Sequence, residues 1–285
     1  MVFTFAFFFG ILIGKMVSIL QRMGGVFVLK DERLQQITDM LKTNGKVEVS
    51  NLCRLFNVTE MTIRRDLGEL ADKKVAIRSH GGAILTPDNI LSESPYEIRI
   101  THKLKEKQAI AKEALPFIKD GDRVFFDSST TVYCLARLVN NAQKFLAVTD
   151  TLSTALELNA RTDLKVVCLG GELKKTTGSC TGIFAENMLD TMHLNTAFIG
   201  LPNISPQGIL STSSTSELAI KRIILSHTDR VIVLADSSKL GPADFLSIGH
   251  LSEVSVLISD TGLPRDFVDY CNGLKNVQLL LVPVE

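Results

Sequence analysis

Apolar positions along the chain are spaced in one way from residue 30 and in another from about residue 105, and the two patterns predict two kinds of structure. In DERLQQITDMLKTN (31–44) they fall at Leu34, Ile37, Met40 and Leu41, one face of a helix. Asp31 and Glu32 sit in the first turn, where the helix dipole favours negative charge, and Gly45 ends the run. VEVSNLCRLFN predicts a second short helix with Val49, Leu52, Leu55 and Phe56 inward and Ser50 as its N-cap. After a tight turn at Asn57 and Val58, Thr59 caps a third helix, EMTIRRDLGELADKK, whose inward face is Ile63, Leu67 and Leu70. VAIRSHGGAIL then reads as two short strands around Gly81 and Gly82.

Three helices and a β-hairpin make the winged helix-turn-helix plan, in which the third helix enters the major groove with its N-terminal residues toward base edges. With Ile63, Leu67 and Leu70 inward, Glu60, Thr62, Arg64 and Arg65 lie on or beside the outer face. Arg reads guanine through two hydrogen bonds, and Thr can bond a base or a phosphate. Arg78 and His80 stand where a wing touches the DNA backbone. The plainer alternative is a solvated helix with ordinary i,i+4 pairs such as Glu60 with Arg64. Charge does not separate the two, since residues 59–80 hold five Lys/Arg against four Asp/Glu.

From residue 105 apolar runs of β type occur at 124–126, 145–148, 164–169, 196–199, 231–235, 256–258 and 277–282, with helical stretches at 132–139, 154–160 and 216–226 between them. Such alternation predicts a largely parallel sheet covered by helices, with ligands at the carboxyl ends of the strands. DSSTT (Asp127, Ser128, Ser129, Thr130, Thr131) closes the first strand and leads into a helix, so it reads either as an anion cradle or as a plain N-cap. LGGE places Gly170 and Gly171 after the third strand, Glu217 and Lys221 stand one helical turn apart, and ADSSK brings Lys239 after the fifth. A cradle, a carboxylate and a lysine at one sheet edge suit a phosphorylated sugar. Its phosphate would meet the loop 128–131 and Lys239, and Glu217 would bond a sugar hydroxyl. Asp127 would orient the loop, because a carboxylate facing phosphate repels it.

At 285 residues and 45% hydrophobic content the chain is long and apolar enough for two packed domains. Lys plus Arg equals Asp plus Glu at 31 each, so a nucleic-acid footprint has to be local. Five scattered cysteines without a CxxC argue against a disulfide framework or zinc site and fit a reducing cytosol. Residues 2–14, VFTFAFFFGILIG, are apolar but shorter than the ~20 residues that cross a bilayer, and no basic region precedes them. The favoured reading of 1–29 is an extension the folded domains do not need, with Met16 and Met23 as internal starts; a membrane anchor is the lesser alternative.

The run VSNLCRLFNVTEMTIRRDLGELADKKVAIRSHGGAIL resembles the N-terminal domain of the DeoR family of bacterial transcriptional regulators. The family pattern Val-Ser-Xaa-Xaa-Thr-Ile-Arg-Arg-Asp-Leu is followed from residue 58 to 67, with Thr59 for the usual Ser, and the basic strand ending in Gly-Gly-Ala is followed from 78 to 83. Residues 86–104, polar and carrying Pro87 and Pro95, read as a linker, and SPYEIRITHKLKEKQAIAKEA resembles the family's connector. DSSTT, LGGEL, TGIFAE, ELAIKR and VLADSSKLG resemble the C-terminal sensor domain, which is similar in fold to ribose-5-phosphate isomerase and glucosamine-6-phosphate deaminase. After the fourth strand the family usually has Gly-Ala-Xaa-Gly-Ile, whereas this chain has GLPNI, in which Pro202 stiffens the loop and Asn203 replaces a flexible glycine.

The resemblance implies an α/β chain with a winged helix-turn-helix domain at 30–85, a linker at 86–104 and a Rossmann-like sensor domain at 105–285. It implies a DNA-binding regulator, most often a repressor of a carbohydrate catabolic operon relieved by a phosphorylated sugar. The implied partners are operator DNA, the sugar phosphate and further copies of the chain in a dimer or tetramer, with no cofactor, metal or enzymatic turnover. An isomerase or deaminase using the same pocket is the competing class, and the domain at 31–85, which such an enzyme does not need, discriminates against it.

Overall fold

The protein is described by a computed structural model over residues 28–44, 46–73, 75–79, 81–85 and 96–284. His80, the apolar run at 2–20 and linker residues 86–95 lie outside the described residues. The chain divides into two compact units, residues 1–91 and 92–285.

In the first unit helix α1 (Lys30–Asn44), strand β1 (Lys46–Glu48), helix α2 (Val49–Phe56), helix α3 (Glu60–Asp72), and strands β2 (Ala76–Ser79) and β3 (Gly82–Leu85) follow in order. Leu34, Ile37 and Leu41, Val49, Leu52 and Phe56, and Ile63, Leu67 and Leu70 are buried in one cluster, so each helix gives one apolar stripe to a shared core. Leu55 departs from the expectation: it is 58% exposed, about 90° round α2 from the buried stripe at 3.6 residues per turn. Ser50 is not the cap. The helix starts earlier, with Glu48 extended at the cap position and making no side-chain cap bond. Residues 46–48 are instead drawn into a three-stranded antiparallel sheet, ordered β1-β3-β2. Close approach explains Gly82, where a side chain would meet the Val47 carbonyl oxygen at 2.0 Å.

The second unit opens with helices α4 (Tyr96–Thr101) and α5 (Leu104–Ala114), followed by β4 (Arg123–Phe126), α6 (Thr130–Ala136), β5 (Leu146–Thr149), α7 (Leu152–Arg161) and β6 (Lys165–Cys168). A hairpin, β7 (Glu172–Leu173) and β8 (Cys180–Thr181), leads to α8 (Ile183–Asp190) and β9 (Leu194–Ile199). Then come β10 (Asn203–Ile204), β11 (Ile209–Thr212), α9 (Thr215–His227), β12 (Thr228–Leu234), β13 (Leu246–His250), β14 (Val256–Asp260), α10 (Arg265–Asn272) and β15 (Gln278–Val282). Seven strands form one parallel sheet in the order β15-β14-β12-β9-β4-β5-β6.

Both faces of the sheet are covered, which is why its strands read as near-continuous apolar runs. Val124 and Phe126 of β4 pack with Ile110, Leu135 and Leu158 from α5, α6 and α7. Phe125, between them, points the other way into a cluster with Leu189, Ile220 and Phe267 from α8, α9 and α10. From β4 the chain winds outward to β6, then returns to β9 on the other side of β4 and winds outward to β15. The order therefore reverses between β4 and β9, and the carboxyl ends of these two strands frame the crevice where open α/β sheets take ligands.

Candidate DNA-reading helix and effector site

Helix α3 begins as its sequence indicates. Thr59 is extended at the N-cap, its hydroxyl accepts the Thr62 amide at 3.3 Å, and the two threonine hydroxyls lie 3.0 Å apart. Asn57 turns the chain between α2 and α3 in the left-handed region, φ 50°. Thr59, Glu60, Arg64, Arg65 and Arg78 are exposed and Thr62 is half-buried. Arg64 donates to Glu60 Oε1 through Nε at 2.8 Å and Nη2 at 2.5 Å, which is the i,i+4 pair of the plainer alternative. Arg65 shares its helix face with Met61 and Gly68 and makes no ion pair with another described residue.

The aspartate that follows the two arginines has a different role. Asp66 is wholly buried and takes Arg33 of α1 through Nε at 2.5 Å and Nη2 at 3.2 Å. Two parallel bonds between planar groups clasp α1 to α3 and fix the angle at which α3 is presented. Nothing in the apolar spacing of α1 marks Arg33 as buried. A charged residue one place before the apolar stripe of Leu34, Ile37 and Leu41 is a faint signal of burial.

At the sheet's reversal point the structure gathers part of the expected effector set. Asp127 is 2% exposed, and its carboxylate accepts from the Ser129 amide at 2.8 Å, the Gly200 amide at 2.8 Å and the Lys221 ammonium at 2.6 Å. Lys221, equally buried, also donates to the Gly200 carbonyl at 2.7 Å. Ser129 caps α6 by accepting the Val132 amide at 3.0 Å. The two strand ends meet so closely that a side chain at Gly200 would lie 2.4 Å from Ser129 Oγ. The glycine of GLPNI is thus required by packing, while Asn203 enters β10 and ties its amide to the Pro242 carbonyl at 2.7 Å. Ser128, Thr130 and Thr131 are buried beside this network.

Glu217, buried in the first turn of α9, accepts Lys174 of the β7–β8 hairpin at 2.8 Å and the Thr212 hydroxyl at 3.4 Å. Gly170 and Gly171 are exposed in the turn before that hairpin. Lys239, half-buried in a short turn after β12, has Asp236 as its neighbouring carboxylate. Burial works to raise the Asp236 pKa, but Lys239 and the Ser238 hydroxyl outweigh it and hold it below the usual carboxylate value.

Three residues of this region were missed in the sequence. Lys174 lies in a hairpin too short to show alternation. Asp236 lies inside ADSSK, where no local spacing distinguishes it from a turn aspartate. Asp150 closes β5 as Asp127 closes β4, and only the parallel between VTDT and FFDS could have marked it. Its carboxyl is buried and accepts the Thr151 hydroxyl at 2.8 Å. Burial first and the Asp127 charge second push its pKa up to about 7, against the hydrogen bond from Thr151 and the charge of Lys221.

The folded chain therefore holds a proton on Asp150 that the unfolded chain, with a carboxyl near ~3.9, releases. Stability contributed at this position falls as pH rises through that window. Asp150→Asn keeps the acceptor for Thr151 and removes the charge. The variant is expected to be about 2–4 kcal/mol more stable than the parent at about pH 8, and equal to it at about pH 4, given 1.36 kcal/mol for each pKa unit. Thermal denaturation at both pH values checks this; an equal stability difference at the two would show that the buried charge is not the cause.

Among the described residues no cluster of His, Cys, Asp or Glu could hold a metal ion, and no helix is long and apolar enough to cross a membrane. Comparison with known proteins places this arrangement. The family model "DeoR-like helix-turn-helix domain" matches residues 33–88, and "DeoR C terminal sensor domain" matches residues 102–261. The uncharacterized HTH-type transcriptional regulator YulB of Bacillus subtilis is 34% identical over 90% of this chain and 98% of its own. The putative aga operon transcriptional repressor of Escherichia coli O157:H7 is 31% identical over 88% of this chain and 93% of its own. A ribose 5 phosphate isomerase A structure from Neisseria gonorrhoeae is similar with a TM-score of 0.36 at 17% identity, covering 49% of this chain; the match spans about half of that protein, 54%. The ordered helices, the reversed parallel sheet and the two matched domains lead to one conclusion: the chain belongs to the DeoR family of DNA-binding transcriptional regulators.

Proposed function

We propose that the chain is a cytoplasmic repressor of a carbohydrate catabolic operon, acting as a homo-oligomer and released from its operator by a phosphorylated sugar. The observation that carries this reading is the Asp127–Gly200–Lys221 network, which holds the 128–131 loop at the sheet's reversal point of a chain that also carries a DNA-reading domain. The lactose phosphotransferase system repressor of Staphylococcus epidermidis, 33% identical over 81% of this chain and 92% of its own, supports the carbohydrate assignment by its name. In this reading the phosphate meets the backbone and hydroxyls of Ser128, Ser129, Thr130 and Thr131, and Lys239 neutralises its charge. Asp127 and Lys221 are mutually satisfied and hold the loop rather than the ligand. Glu217, paired with Lys174, offers its remaining acceptor capacity to a sugar hydroxyl. The exposed glycines Gly170 and Gly171 rim the site.

On the DNA side, Arg65 is free to reach a guanine, whereas Arg64 has first to leave Glu60. Thr59, Thr62, Arg78 and His80 add backbone contacts. Arg65→Ala is expected to weaken operator binding by ~1–3 kcal/mol and relax one base position, and Arg64→Ala to cost less. Gel shifts of the full chain on DNA upstream of its own gene measure both. Adding candidate sugar phosphates should weaken the shift of the parent but not of Lys239→Ala, whose operator affinity is expected to be unchanged. Turnover of those sugar phosphates, or a Lys239→Ala variant that responds normally, would overturn the reading.

A further inference from the structure

The first turn of helix α3 carries an apolar side chain where a merely solvated helix would carry a polar one. Met61 is 81% exposed, more than any other large hydrophobic side chain among the described residues. Apolar residues scattered singly over a surface are common, so exposure by itself assigns nothing. Its place on the helix does. Ile63, Asp66, Leu67 and Leu70 are the buried residues of α3. At 3.6 residues per turn, Met61, Arg65 and Gly68 fall within about 30° of the direction opposite that stripe. Arg64 lies about 70° from that direction, Thr62 about 90° and Glu60 about 110°. Met61 and Arg65 therefore form the crest of the outward face. Met61 stands in the N-terminal turn, the part of a recognition helix that contacts base edges.

The residues around Met61 keep that crest fixed and clear. The Thr59 hydroxyl accepts the Thr62 amide at 3.3 Å and lies 3.0 Å from the Thr62 hydroxyl, so the turn that carries Met61 is held at its start. On the flank, Arg64 donates to Glu60 through Nε at 2.8 Å, which leaves the crest to Met61 and Arg65. Beyond Arg65, a side chain added at Gly68 would meet nothing within 4 Å, so no contact inside the unit requires glycine there. Glycine is, after proline, the residue least suited to a helix interior. Bare backbone at this point instead suits close approach of a partner along the crest.

We propose that Met61 is a specificity-determining residue of the operator contact and packs its thioether side chain against the C5-methyl group of a thymine. The inference rests on the reading that α3 enters the major groove. Base edges there present hydrogen-bond donors and acceptors, and the thymine methyl is the apolar group among them. Methionine has no donor and only a weak acceptor to offer the others. A base amino or carbonyl group facing Met61 would lose water without gaining a partner, so the residue favours thymine and discriminates against the other bases at the same position. Its three rotatable bonds let it follow the methyl group in the groove. Side chains one turn apart are separated by roughly 5–6 Å, and successive base pairs by about 3.4 Å, so the thymine lies within two base pairs of the guanine that Arg65 reads.

DNA selected by the full chain from a random-sequence pool is the probe. The parent is expected to select a thymine within two base pairs of the guanine whose preference Arg65→Ala relaxes. The selected duplex is then made with deoxyuridine in place of each thymine in turn, which removes one methyl group and keeps every hydrogen-bonding group. At one position the parent should bind the uracil duplex about fourfold more weakly for each recognition helix engaged, the worth of one buried methyl group. Met61→Gln, of similar length and at an exposed position that leaves the core untouched, should bind the thymine and uracil duplexes alike and no longer select that thymine. Equal affinity of the parent for all the duplexes, a uracil penalty of the same size in Met61→Gln, or a parental selection without that thymine overturns the methyl contact and leaves α3 as the reading helix. If Arg65→Ala and Met61→Gln both select the parental sequence, the recognition-helix reading itself falls, and the contact falls with it.

Discussion

Asp66→Ala is expected to unfold the helix-turn-helix unit while the sensor unit stays intact. The substitution leaves the Arg33 guanidinium, 6% exposed, facing a hole where two charge-assisted bonds had been. Breaking a buried pair from one side costs about 3–5 kcal/mol, because the surviving charge is neither solvated nor paired. A domain of this size has a total stability on the order of 3–8 kcal/mol, at roughly 0.05–0.15 kcal/mol per residue. Operator binding should therefore fall far more than in any single substitution of an exposed arginine. Exchange protection at Leu34, Ile63 and Leu67 should collapse, with that at Phe125 and Ile232 unchanged. Replacing both partners, Arg33→Met with Asp66→Leu, is expected to recover most of the stability, since apolar pairs of similar volume substitute well for buried ion pairs. An Asp66→Ala protein of parental stability would remove the clasp from this account.

Lys221→Met is expected to destabilise the sensor unit by about 3–5 kcal/mol for the same reason, leaving the Asp127 carboxylate buried with only two amide donors. The pH behaviour separates this pair from Asp150. Burial works against the Lys221 charge, but Asp127 and Glu217 outweigh it and hold its pKa above the usual value. A group whose pKa is raised on folding contributes fully below the unfolded value, ~10.4 for Lys, and loses that contribution only as pH rises beyond it. Lys221 itself should thus add no pH dependence between about pH 4 and 9, whereas the advantage of Asp150→Asn grows from about pH 4 to about 7 and is level above it. Urea unfolding across that range distinguishes the two. Because Gly200 is bonded to both partners, the variant should also lose its effector response even under conditions where it remains folded.

Much of this protein is determined by local sequence. Apolar spacing alone placed the buried stripes of α1 and α3 and all seven strands of the parallel sheet, because strands covered on both faces need unbroken apolar runs and helices covered on one face need a 3.6-residue period. The Thr59 cap was equally legible, since a hydroxyl and the amide three residues on belong to one short segment.

Tertiary structure alone decided the rest. β1, only three residues long, exists because β3 lies beside it, and its formation moves the start of α2 away from Ser50. Arg64 and Arg65 look alike in the sequence, but one is bonded to Glu60 and the other is not. Lys221, on helix α9, and Lys239, in the turn after β12, likewise carry the same charge. The fold buries the first against a carboxylate 94 residues away and leaves the second half-exposed beside Asp236. Periodicity reports which face of an element meets the core; which charge it meets there depends on the element packed opposite, and that is set by the order of the strands in the sheet.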